Sequence, residues 1–200
     1  MADHRAAADA INDLWLNRVG PKGWYARDDA VDAAVRDLAQ GLWTRVQAQG
    51  LPDDWPRDPK GWLAALILTD QFPRNMFRDD PRAYASDALS RDLARGAIDA
   101  GADLAVEGAP RQFFYLPFMH SEALADQDRA IALFDDRLPG DNQRHARLHR
   151  DVIARFGRFP WRNADLGRAT TPDEAAFLAA GGYGAMVRGA VTLEGSGNIV

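Results

Sequence analysis

The chain has 200 residues with 24 basic and 29 acidic side chains, a formal net charge of −5, 46% hydrophobic residues and no cysteine. That charge balance excludes a strongly basic nucleic-acid binder, which needs surplus Lys and Arg against phosphate, and the apolar content excludes a disordered chain. The missing thiols exclude a disulfide scaffold, a thiolate metal site and a cysteine nucleophile.

Apolar residues recur at helical spacing almost throughout. Ala7, Ile11, Leu14 and Trp15 mark an amphipathic first helix, which Gly20-Pro21-Lys22-Gly23 breaks. Asp28 or Asp29 caps a second helix with Val31, Val35, Leu38, Leu42 and Val46 inward. The stretch LPDDWPRDPKG is a loop, and a third helix from about Lys60 must end or kink at Pro73. Pro81 starts a short helix. Asp87 caps another that buries Leu89, Leu93, Ala97 and Ile98 and ends at Gly101.

The aromatic run RQFFYLPFMH reads as a buried helix with Pro117 at a kink or first turn. Asp126 to Leu138 is helical and stops at Pro139-Gly140. Asp141 or Asn142 caps the next helix, which runs to about Phe156 before Gly157. Thr171-Pro172-Asp173-Glu174 is a helix start with Thr171 as N-cap and Glu174 as its capping-box partner. The fold class expected is all-α: a compact tetratricopeptide-like array of about 8–10 helices without significant sheet. The repeat signal is weak, since the matching Gly101 and Gly140 lie 39 residues apart rather than 34. One domain is expected over 1–180, followed by a Gly-rich, flexible tail at 181–200.

No run of signal-peptide type opens MADHRAAADAINDLWL, and no stretch of about 18 apolar residues occurs. A cytoplasmic protein without a membrane or nucleic-acid partner is the expectation. The charge is uneven. Between Asn142 and Arg168, seven arginines (144, 147, 150, 155, 158, 162 and 168) face only Asp151 and Asp165, a surplus of five that leaves the remainder at −10. Either these arginines pair with the acidic remainder, or some of them grip a carboxylate or phosphate.

Four polar motifs carry the candidate chemistry. His145 and His149 lie four apart on the helix from Asn142, with His145 projecting to its apolar face. They read as inward histidines bonded to backbone or carboxylate, as a ligand or catalytic pair, or as metal ligands; the HExxH pattern is absent and no metal or cofactor is assigned. Asp70 projects onto the apolar face of the third helix, where it either caps the turn at Pro73 or meets an inward arginine. Gln71, Arg74 and Asn75 follow at once. In YLPFMHSE, the set His120, Ser121 and Glu122 either divides two helices or supplies general acid/base groups. In FGRFPWRN, a tight bend presents Arg158, Arg162 and Asn163 as an anion clamp or as helix-end caps.

In this order, GWYARDDAVDAAV, LILTDQFPRNMFR, FFYLPFMHSEALADQ and FGRFPWRNADLGRATTPDEAAFL resemble the bacterial family known as domain of unknown function 924 over about residues 10–178. The resemblance implies one compact all-helical domain related to tetratricopeptide repeats and supplies no established activity. The family's polar positions fall on Asp70, Gln71, Arg74, Asn75, His120, Ser121, Glu122, His149, Arg158, Arg162 and Asn163. The family usually reads FGRFPHRN, and Trp161 stands here in place of that histidine. The stretch from Gly181 looks like an appendage.

Three functions follow as expectations. The first is a module binding a small anionic molecule or peptide through Gln71, Arg74, Asn75, Arg158, Arg162 and Asn163. The second is an enzyme on a small anionic substrate, with His120, Glu122, His149 and Asp70 as catalytic candidates. The third is a buried polar network that fixes helix registry.

Overall fold

A computed structural model of the chain describes residues 3–193. Those residues form helices joined by turns and loops, with no β-strand, so the chain is all-α. Backbone contacts gather into two compact units, residues 1–117 and 118–200.

In the first unit, Asp3 accepts the Ala6 amide at 3.0 Å and starts α1 (His4–Asn12). A π-helical turn, Asp13–Val19, carries Leu14 and Trp15 inward. The break falls at Gly20, whose φ of +65° no side chain adopts comfortably, and a single turn α2 (Gly20–Gly23) follows. Asp28 caps α3 (Asp29–Gln49) by accepting the amides of Ala30 and Val31. The inward face of α3 is Asp32, Val35, Ala39, Trp43 and Val46, while Leu38 is 41% exposed. This corrects the apolar stripe expected through Leu38. The helix is turned by polar ties to distant residues: Asn75 and Arg78 hold Asp32, and Ser86 holds Trp43.

Helix α4 (Pro59–Leu66) starts at Asp58, which accepts the Gly61 amide. It runs through a π-helical turn (Ile67–Gln71) into α5 (Phe72–Met76), so Pro73 is absorbed by the wider turn rather than ending the helix. A 3-10 turn, Pro81–Tyr84, precedes α6 (Asp87–Asp99). Asp87 sits in the first turn of α6 rather than capping it, and its carboxylate reaches Arg74. Residues expected as one aromatic helix form two pieces, a 3-10 turn (Ala109–Phe114) and α7 (Leu116–Met119), within which the two units divide. Helix α1 packs on α4, α4 on α6, and α3 on α5. Trp15 meets Phe72 edge-on at 5.6 Å, and Trp24 meets Phe113 at 4.9 Å.

The second unit is built on two neighbouring helices, α8 (Leu124–Arg137) and α9 (Asp141–Phe156). Gly157 closes α9 in the left-handed region, with its amide on the Ile153 carbonyl. A 3-10 turn, Pro160–Arg162, forms the bend. Helix α10 (Pro172–Ala179) has the expected capping box in both directions: Glu174 N–H donates to Thr171 Oγ1 and Thr171 N–H to Glu174 Oε2. The chain is not loose beyond Ala180. Helix α11 (Gly182–Val187) packs on α9 and α10, and Ala185, Met186 and Val191 join the core of Val152, Ile153, Phe159 and Phe177. Residues 194–200 of the expected tail lie outside the described residues.

Candidate functional site

The arginine surplus of the second unit is matched internally. Arg147 meets Asp135, Arg150 meets Asp128, Arg155 meets Asp173, Arg158 meets Glu174 and Arg168 meets Glu122. All five carboxylates lie outside the arginine-rich segment. The other two arginines satisfy backbone: Arg144 donates to the Val187 carbonyl at the end of α11, and Arg162 to the His120 carbonyl at 3.0 Å.

At the FGRFPWRN bend, the pairing is geometric as well as electrostatic. Arg158 donates through Nε and Nη2 to the two oxygens of Glu174, at 2.6 and 2.8 Å, and Asn163 adds a third donor at 3.2 Å. These bonds hold the Glu174 carboxyl down to about 2, with the Arg158 hydrogen bond as the largest cause. Arg168 grips Glu122 through Nη1 and Nη2 at 2.7 and 3.1 Å, while Glu122 also accepts the Phe159 amide. Burial works against ionised Glu122, but these donors outweigh it and keep the carboxyl below its ordinary range. Asn163 lies between the two pairs, donating to Glu174 and accepting from Arg168 Nε at 3.0 Å. Arg168 and Glu174 thus belong to the site, although only a tally of charge and a capping rule had pointed to them.

The YLPFMHSE motif turns the chain into α8. Ser121 Oγ accepts the Ala123 amide and donates to Asp126 at 2.7 Å, and Gln127 donates to the carbonyls of Met119 and Ser121. His120 contributes its carbonyl to Arg162, and its ring centre lies 6.5 Å from that of His149.

His149 is enclosed by rings. Tyr183 lies 4.5 Å away, Phe159 5.5 Å and Trp161 6.1 Å, centre to centre. Its Nδ1 is 2.8 Å from the His145 carbonyl, which only accepts, so Nδ1 carries the proton and Nε2 presents a lone pair. Nε2 makes no hydrogen bond among the described residues. Burial pushes His149 down to about 3, and His145 is likewise lowered by burial and by Arg144. The Nδ1 of His145 shares a 2.6 Å hydrogen bond with the Tyr183 hydroxyl, whose own ionisation burial pushes up. Tyr183, inside the Gly-rich stretch, was missed in the sequence; the signal was one aromatic residue among glycines. Trp161 stacks on Phe159 at 4.8 Å. Beside these rings opens a recess of about 340 Å³ lined by Trp161, Leu178, Tyr183 and the glycines 181, 182 and 184.

The LTDQFPRN motif belongs to the first unit and forms a network of its own. Asp70, 1% exposed, accepts Gln71 Nε2 at 2.5 Å and faces Arg74 at 3.5 Å, which is the arginine contact rather than the turn cap. Arg74 also donates to both oxygens of Asp87 at 3.0 and 3.2 Å. Asn75 donates to Asp32 at 2.8 Å beside Arg78, joining α5 to α3. Asp32, Arg78 and Asp87 are the partners that sequence spacing did not reveal. Among the described residues, no three His, Asp or Glu side chains gather as metal ligands, and no helix is long and apolar enough to cross a membrane.

Comparison with known proteins agrees with the all-helical architecture. The solved structure of a protein of unknown function from Agrobacterium tumefaciens is 43% identical and superimposes with a TM-score of 0.82, covering 88% of this chain and 98% of its own. No curated protein matches the chain. The family described as "Bacterial protein of unknown function (DUF924)" matches residues 11–182, and the chain therefore belongs to that family.

Proposed function

We propose that the chain is a binding module for a small organic ligand, and that its recognition surface is the aromatic recess of the second unit. The observation that carries this reading is the recess itself: about 340 Å³ lined by Trp161, Tyr183 and Leu178, with His149 packed behind the rings of Trp161 and Tyr183. Small-molecule sites are concave, mostly apolar and supplied with a few placed polar groups. Binding is favoured over acid/base catalysis because a general acid or base works best with a pKa near the operating pH. At about 3, His149 stays neutral and acts as a hydrogen-bond acceptor. The guanidiniums of Arg74 and Arg158 already meet Asp87 and Glu174, so the reading puts no ligand charge on them.

The test is a thermal-shift screen of the full chain against small ring-bearing metabolites. Ligands that stabilise the wild type and fail to stabilise Trp161→Ala support the reading. A screen in which no compound depends on Trp161 overturns it.

For the first unit, the purely structural reading is the better one. There, Asp32, Asp70, Arg74, Asn75, Arg78 and Asp87 satisfy one another across three helices.

A further inference from the structure

Besides the five arginines of the arginine-rich segment that lie on carboxylates, Arg137 meets Asp136 at 3.5 Å, whereas the guanidinium of Arg188 meets none among the described residues. Arg188, exposed just past α11, donates its backbone amide to the Gly184 carbonyl, while its guanidinium makes no hydrogen bond or ion pair among the described residues. Its guanidinium lies over the glycines of the recess. A Cβ on Gly181 would stand 3.6 Å from Nη2, and one on Gly184 would stand 3.4 Å from Nη1. These distances put the cation against the glycine side of a cavity lined also by Trp161, Tyr183 and Leu178, the last of these 37% exposed. An apolar recess lined by the Trp161 and Tyr183 rings, with an unmatched guanidinium at its edge, calls for an apolar, ring-bearing ligand that ends in an anion. Arg suits a planar carboxylate, which it can take through two parallel N–H bonds. The cavity's volume is at the low end for ligand pockets, room for one or two rings and a short arm.

We infer that the recess binds a small aromatic carboxylic acid, its ring between Trp161 and the glycine side and its carboxylate on Arg188. This rests on the recess reading above and names the ligand class for the same site.

The experiment is protein-observed NMR titration of the full chain, following the Trp161 indole N–H, which Trp161→Phe identifies. The probes are phenylacetate, indole-3-acetate, the two corresponding primary amides, and the tripeptide Ala-Ala-Phe. Each acid is expected to bind about tenfold more tightly than its amide, the worth of one charge-assisted hydrogen-bond pair. In Arg188→Gln, that preference disappears while the amide's affinity is unchanged. Acid and amide binding alike, or an acid preference that survives Arg188→Gln, overturns the carboxylate inference and leaves the recess reading standing. Perturbation of Trp161 by the tripeptide alone also overturns it, because the occupant is then a peptide end. If no probe moves the Trp161 signal, and the ring-metabolite screen is also negative, both readings fall.

Discussion

Ser86 donates its hydroxyl to the Thr69 carbonyl at 2.6 Å, across 17 residues of sequence. Thr69 is four residues before Pro73, which has no amide hydrogen to return to that carbonyl. The π-helical turn at Ile67–Gln71 takes up the ring, and Ser86 supplies the missing donor. Ser86 also accepts from Trp43 Nε1 at 2.9 Å, so one hydroxyl ties α3, the α4–α5 junction and the start of α6. Ser86→Ala leaves two buried groups unsatisfied at once. It is expected to lower stability by about 2–4 kcal/mol, read as a shift of the urea midpoint without a change in slope.

Glu174 performs two tasks, receiving Arg158 and closing the capping box on Thr171. Its folded-state pKa, about 2, is below its ordinary value of 4.5. The unfolded chain therefore binds the proton more readily. Its contribution to stability is fully present above about pH 4.5 and is lost as pH falls toward 2. Glu174→Gln should flatten that part of the acid-unfolding curve. At pH 7 it should cost about 1–3 kcal/mol, because Arg158 and the Thr171 amide lose a charged acceptor. A variant curve parallel to the wild type between pH 5 and 2.5 would refute this.

Local rules read the Thr171–Glu174 start and the Asp28 cap correctly, because both partners lie within three residues. The face of α3 was misread because what turns it lies far away in sequence: Asp32 is 43 residues from Asn75, and Trp43 is 43 from Ser86. The arginine surplus was visible, but its acids were not, since Glu122 and Arg168 are 46 residues apart. Of the site, the bend residues and His149 were legible from motif and periodicity. Tyr183 and Arg188 were hidden by glycines that suggested disorder, although Tyr183, Met186 and Val191 give that stretch the apolar content to pack.

Two glycines separate tight packing from free space. A Cβ on Gly61 would stand 2.1 Å from the Pro56 carbonyl oxygen, a backbone atom in the loop that carries Trp55. Trp55 Nε1 in turn donates to the Gly61 carbonyl at 3.0 Å. Gly61→Ala is expected to push this loop off α4, costing more than about 3 kcal/mol and opening Trp55 to acrylamide quenching. Gly41, in mid-α3, faces only Arg45 Nη1 at 3.9 Å. Gly41→Ala should stabilise by about 0.5–1 kcal/mol, the ordinary gain of replacing a helical glycine.

His149 carries the pH dependence nearer neutrality. Its folded pKa of about 3 lies below the ordinary 6.5, and burial among Phe159, Trp161 and Tyr183 is the main cause. Between these values the unfolded chain holds a proton that the folded chain refuses, so stability falls as pH drops below about 6.5. The loss comes from protonating a histidine that the fold keeps neutral, the opposite sign from a histidine paired with a carboxylate. His149→Gln should narrow the difference between the urea midpoints at pH 7.5 and pH 5. In the wild type, nitrogen chemical shifts should report a neutral ring with the proton on Nδ1, unchanged from pH 8 to 5. If the ring titrates near 6.5, Nε2 is not a standing neutral acceptor, and the preference for binding over proton transfer loses its chemical basis.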